Sequence, residues 1–141
     1  MFEEPEETDD TLNEADVVIL SAENRDDVLA LQKKLFPFPS EPGRPREGFY
    51  VKHASFGRVS AFQVAAKGKS DAQQLKAMCE LIADSVIGPD EQPVWTSKEV
   101  SAMATIRTDR FLVIQKAVAS FNGLKDDADK VAAMIEAAKK N

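Results

Sequence analysis

Residues 70–89 read SDAQQLKAMCELIADSVIGP, and this stretch decides the fold. Leu75, Met78, Cys79, Ile82 and Val86 recur at helical spacing and form one apolar stripe. Ser70 or Asp71 opens the helix. Gly88-Pro89 is the expected stop, because glycine tolerates a left-handed C′ position and proline cannot continue. A helix with one apolar face needs partners to cover it, and the rest of the chain supplies further helices.

Downstream, Asp90-Glu91-Gln92-Pro93 reads as a turn and Val94-Trp95 returns to apolar. Thr96-Ser97-Lys98-Glu99 is a capping-box pattern, in which the Thr hydroxyl accepts from the N3 amide while the Glu reaches back to the Thr amide. Trp95, just before this cap, is in staple range of Val100 and is also a residue type enriched in interfaces. Val100, Met103 and Ala104 share a face. Thr108 or Asp109 starts a further helix with Phe111, Ile114, Val118 and Phe121 on one side, ending at Asn122-Gly123. Asp126 or Asp127 starts a last helix carrying Val131, Met134, Ile135 and Ala138, with Lys139-Lys140 at its end.

Upstream, Ser55 caps a helix whose Val59, Phe62 and Ala66 share a face and whose stop is Gly68. Phe49, Val51 and His53 alternate with Tyr50 and Lys52, which predicts a strand near 48–53. Pro37, Pro39, Pro42 and Pro45 make 37–47 an extended loop, anchored by Phe36 and Phe38. Asn24 predicts a helix cap, with Val28, Leu31 and Leu35 on one face, Lys33 and Lys34 in the last turn, and a stop at or before Phe36. Val17–Leu20 is too short to assign to strand or helix. The expected architecture is mainly α: about five helices with a small β element, as a single helical domain over 17–141 behind a disordered acidic tail at 1–16.

The 141 residues fit one domain with a tail. The net charge of −6 is unevenly spread. Residues 1–16 hold eight acids and no base, so the remaining 16 acids face 18 bases. Within that remainder, 33–69 carries eight bases against Glu41 and Glu47. The acidic tail is predicted to solubilise the chain or to shield this basic centre. A uniformly basic nucleic-acid binder does not have a pI near 4.9. The segment 33–69, with Phe49, Tyr50, Phe56 and Phe62 interleaved, nonetheless keeps a small nucleic-acid-binding regulator as the alternative function.

One cysteine excludes an internal disulfide, and with one histidine it excludes the usual four-ligand zinc site within one chain. Cys79 lies on the apolar stripe and reads as a buried thiol. His53 stands without a nucleophile motif, the six glycines form neither a Walker loop nor GxGxxG, and Asp126, Asp127 and Asp129 lack the glycine and terminal glutamate of a calcium loop. No enzyme, cofactor or metal is expected. No apolar run reaches the roughly 20 residues of a bilayer crossing, and the N-terminal residues carry no signal-peptide pattern.

The ordered set from Leu75 to Leu124 resembles a known family. It runs through Leu81-Ile82-Ala83-Asp84-Ser85-Val86, Gly88 to Trp95, the Thr96 cap, Arg107-Thr108-Asp109-Arg110-Phe111-Leu112, and Phe121-Asn122-Gly123-Leu124. An apolar helix, an acidic turn with proline, a Thr-capped short helix and a longer helix ending in Asn-Gly-Leu are similar to the tail assembly chaperones of long-tailed, siphovirus-type bacteriophages. Here the turn has Gln92 before its proline and the capped helix carries Lys98, where the family usually has a glycine and an acid.

The resemblance implies a non-catalytic morphogenesis factor of the host cytoplasm, absent from the mature virion. It would bind the tape measure protein, keep it soluble and recruit tail tube protein. Self-association and a frameshifted longer form are further implications, and Lys139-Lys140-Asn141 is a set of residues that an A-rich slippery run would encode. A chaperone of helical clients needs an apolar groove, and the helical stripes offer Phe111, Ile114, Val118 and Phe121 with Met134 and Ile135 as its expected lining. The same stripes equally describe an internal core.

Overall fold

The computed structural model describes residues 13–26, 32–68 and 70–140, in two units that divide at Leu31/Gln32. In the first unit Asn13 caps a short 3-10 turn, Glu14–Asp16, its side chain accepting from the Ala15 N–H at 3.1 Å. Val18, Ile19 and Leu20 form neither strand nor helix and are exposed. Residues 1–12, most of the acidic tail, lie outside the described residues, as do 27–31.

The second unit is mainly α with a small antiparallel sheet, as expected. Its elements are β1 (Lys33–Pro37), β2 (Gly48–Lys52), α1 (Phe56–Gly68), α2 (Asp71–Ser85), β3 (Val86–Ile87), α3 (Ser97–Ile106), α4 (Thr108–Phe121) and α5 (Lys125–Lys140). The sheet order is β1-β2-β3. Helix α2 packs against all four other helices and leads directly into β3, and α4 covers the inner face of β2.

Local chemistry sets most boundaries. Ser70 and Gln73 make a reciprocal capping box at 3.3 Å each way, and Thr96 and Glu99 make another at 3.2 and 2.9 Å. Helix α4 ends in a Schellman turn: the Leu124 N–H donates to Ala119 C=O at 2.7 Å and the Gly123 N–H to Ser120 C=O at 3.3 Å. Gly123 has φ +71, a conformation L side chains rarely adopt, and Leu124 then drops into the core.

Two sequence expectations are corrected. The helix predicted to run from Asn24 to Phe36 does not include its last turn: Lys33, Lys34, Leu35 and Phe36 form β1, paired residue by residue with β2 from Lys33↔Lys52 to Pro37↔Gly48. Pairing makes period 2 prevail over period 3.6 here, with Phe36 turned inward onto the Phe49 ring at 5.9 Å. The helix predicted to stop at Gly88-Pro89 stops at Ser85. Val86 has extended φ/ψ of −89° and 121°, and Val86 and Ile87 pair with Val51 and Tyr50 as β3. Both are β-branched and fit a strand.

The core joins both layers. Phe49 and Val51 from β2 meet Phe62 of α1, Met78, Leu81 and Ile82 of α2, Val100 of α3, Phe111, Ile114 and Val118 of α4, and Val131 of α5. The buried Gln115 donates from Nε2 to Ala128 C=O at 2.8 Å and ties α4 to α5. Corners are pinned by side chains: Asn122 Oδ1 accepts from Ala54 N–H and Asp84 Oδ2 from Ser55 N–H, each at 2.8 Å.

The proline-rich loop is held by charge. Arg110 donates to Glu41 at 2.6 Å and to Glu47, while Arg107 reaches Glu41 at 3.3 Å and Asp109 at 2.9 Å. The Arg110 guanidinium also lies 4.3 Å from the Phe38 ring centroid. Hydrogen bonds from Arg110 hold the Glu41 and Glu47 carboxyls below their ordinary values, and the Arg107 guanidinium holds Asp109 down to about 2. A depressed folded pKa stabilises above the unfolded value and is lost as pH falls through the folded one. The melting temperature should therefore fall on the acid side of the carboxylate range, and Glu41→Gln with Glu47→Gln should flatten that limb. Thermal melts of both proteins across acidic pH check this. Thr96→Ala should separately cost about 1 kcal/mol in urea unfolding.

Candidate partner-binding cleft

Four helix segments leave a cleft of about 950 Å³ between them. The first turns of α2 supply Asp71, Ala72 and Leu75. The end of α3 supplies Ala104 and Thr105, α4 begins there with Thr108, and α5 supplies Lys130, Ala133, Met134, Ile135 and Ala137. The floor is apolar and the rim is polar, with one anion and one cation. The cleft exists because its walls are short: four alanines line it, and α3 turns away at Arg107 before α4 starts. Ile106, the last residue of α3, is 76% exposed.

The six residues predicted to bind a client divide between core and cleft. Phe111, Ile114 and Val118 are wholly buried, so they form no exposed groove, which corrects that part of the expectation. They face inward because α4 lies between α2, α5 and the sheet. Phe121 is half-buried in an aromatic run, edge-on to Phe36 at 6.4 Å and stacked on His53 at 4.4 Å. Met134 and Ile135 do line the cleft, with Met134 half-buried and Ile135 nearly covered. Leu75, Ala104 and Ala133 complete the apolar wall and escaped the sequence reading. Leu75 and Ala104 lie on apolar stripes whose spacing is the same whether they face core or cleft, and Ala133 carries no periodic signal of its own.

The other candidates resolve from their surroundings. Cys79 is buried and burial pushes its thiol up to about 11, which leaves it protonated and unreactive at neutral pH. His53 is exposed and engaged with the Phe121 ring. Trp95 packs against the same core cluster that holds Val100, as a staple does. Of the basic segment, Lys33 pairs with Glu91 at 3.4 Å, Arg44 with Glu47 at 3.5 Å and Arg58 with Glu80 at 3.4 Å, so part of its positive charge is already balanced. Among the interleaved aromatics, Phe49 and Phe62 are core, Tyr50 is half-buried under Lys33, and Phe56 is exposed.

Among the described residues no group of His, Cys, Asp and Glu is placed to hold a metal ion, and no helix is long and apolar enough to cross a membrane. Compared with protein-family models, curated proteins and solved structures, the chain matches none.

Three outcomes are expected. Ellman's reagent should leave Cys79 unlabelled in the native protein and label it on unfolding in urea. Phe121→Asp should lower stability by ~2 kcal/mol or more, read by denaturant melts, because it puts a charge into the aromatic run. Ala133→Arg should abolish fluorescence of an apolar dye in the cleft while shifting stability by no more than about 0.5 kcal/mol, as surface changes do.

Proposed function

We propose that this protein is a tail assembly chaperone of the kind used by long-tailed bacteriophages, which binds the tape measure protein, keeps it soluble and recruits tail tube subunits. The observation that carries the reading is the ordered run from Leu75 to Leu124: apolar helix, acidic proline turn, Thr-capped short helix, longer helix and Asn-Gly-Leu end. The elements α2, α3 and α4, with the Thr96 capping box and the Gly123 turn, support it as local structure.

The cleft supplies a physical means. A tape measure protein is a long helical client whose apolar stripe needs cover. A groove floored by Leu75, Ala104, Met134 and Ile135 accepts such a stripe at i, i+3 and i+4 positions, and methionine adapts to varied side chains. Alanine walls let a helix backbone approach closely. The chemistry asked of this chain is burial of apolar surface, with no covalent step.

Co-expression with a tape measure protein tests the reading. The client should move to the soluble fraction with the wild type and return to the pellet with Ala133→Arg. Capture should persist at about 1 M salt, where charge contacts are screened to ~3 Å. A complex that dissolves steeply with salt and re-forms on single-stranded nucleic acid would instead favour the regulator built on 33–69.

A further inference from the structure

The free edge of β1 is a second surface, separate from the cleft. The Phe38 N–H donates to Glu47 C=O at 2.9 Å, one step beyond the Pro37↔Gly48 pair. Hydrogen-bonded and non-bonded pairs alternate in an antiparallel ladder. Counting back, Phe36↔Phe49 and Lys34↔Val51 are the bonded pairs. The N–H and C=O of Lys33 and Leu35, and the C=O of Pro37, therefore point away from β2. Among the described residues none receives a backbone hydrogen bond from another element. Pro37 sits where a missing N–H removes nothing from the sheet, which is where an edge strand tolerates proline.

We propose that this edge takes up an extended acidic segment of a partner protein, which adds to the sheet as a fourth strand beside β1. Two features select the partner. Lys33 and Lys34 alternate to opposite faces of β1, so an added strand meets a cation on either side. Glu91 pairs with Lys33 at 3.4 Å and is half-exposed, so a partner carboxylate displaces it at little cost, while Lys34 lies 5.1 Å from the Phe36 ring centroid. Leu35, 57% exposed at the middle of the edge, offers an apolar contact on the face it shares with Lys33. The segment that fits carries two adjacent acidic residues, one for each face, next to apolar residues that reach Leu35.

The same lysines act against the simplest competitor. A second copy of β1 in this place would crowd four lysines onto one short ribbon, whereas an acidic strand neutralises them. The edge is also held in shape before any partner arrives. Its inner face is fixed by Phe36 on Phe49, and the loop that follows it is clamped through Glu41 and Glu47 to Arg110. Little ordering is left for this chain when the strand adds.

Titration of the full ¹⁵N-labelled chain with a short synthetic peptide of paired valines flanking paired glutamates tests the proposal. The Lys33 and Leu35 amides should gain exchange protection, while the Lys34 and Phe36 amides, already bonded to β2, should not change. Leu35→Pro removes an outward donor and no bond to β2, and should abolish binding. Lys33→Glu with Lys34→Glu should weaken it by about tenfold or more, and decides the matter if the proline variant fails to fold. Equal affinity for a valine–lysine peptide, indifference to these substitutions, or protection confined to the Leu75–Met134 cleft would overturn it. So would β1 amides already protected in the free protein by pairing with a second copy.

Discussion

Burial of the α2 stripe is the constraint on which the other elements depend. Met78, Leu81 and Ile82 are fully buried and Cys79 almost so. Each such side chain is worth about 1.5–3 kcal/mol when removed from water. One helix cannot cover itself, so α1, α3, α4 and α5 each pack against it, and β3 continues from its end into the sheet. Ser85 marks where the helical and extended layers join. Without that turn, Val86 and Ile87 would have no strand to pair with and β2 would lose one neighbour.

A second chain of contacts sets the sheet on the helices. His53, Phe121, Phe36, Phe49 and Phe38 follow one another ring to ring, and Arg110 closes the series on Phe38. Arg110 then reaches both glutamates of the proline-rich loop. A loop with four prolines between Pro37 and Pro45 donates few backbone hydrogen bonds, and side-chain charge does the work of holding it. The residues that look like linker composition are in this way part of the rigid frame behind β1.

On the proposed reading the molecule offers two surfaces of different chemistry. The cleft between α2, α3, α4 and α5 is apolar and suited to a helix. The β1 edge is basic, presents backbone groups that no described residue bonds, and is suited to a strand. A factor that gathers a helical client and a second component would use both at once, since they lie on different elements. The acidic pI near 4.9 hides this division, because the bulk charge is dominated by residues 1–16.

Residue order by itself determined the elements whose cause is local. The Ser70 and Thr96 caps, the Gly123 stop, the strand at 48–52 and the helical periods of α1 to α5 are set by neighbours within a few residues, and all were legible. Tertiary structure decided what depends on distant partners. Lys33–Pro37 became a strand because β2 pairs with it, and Val86–Ile87 left the helix for the same reason. Nothing within a few residues reports such a pairing. The candidate site divided in the same way. Met134 and Ile135 were legible as an apolar face, but an apolar stripe has the same spacing whether a neighbour covers it or not. The packing of α4 between the sheet and two helices buried Phe111, Ile114 and Val118, while Leu75, Ala104 and Met134 are only half-buried at the cleft.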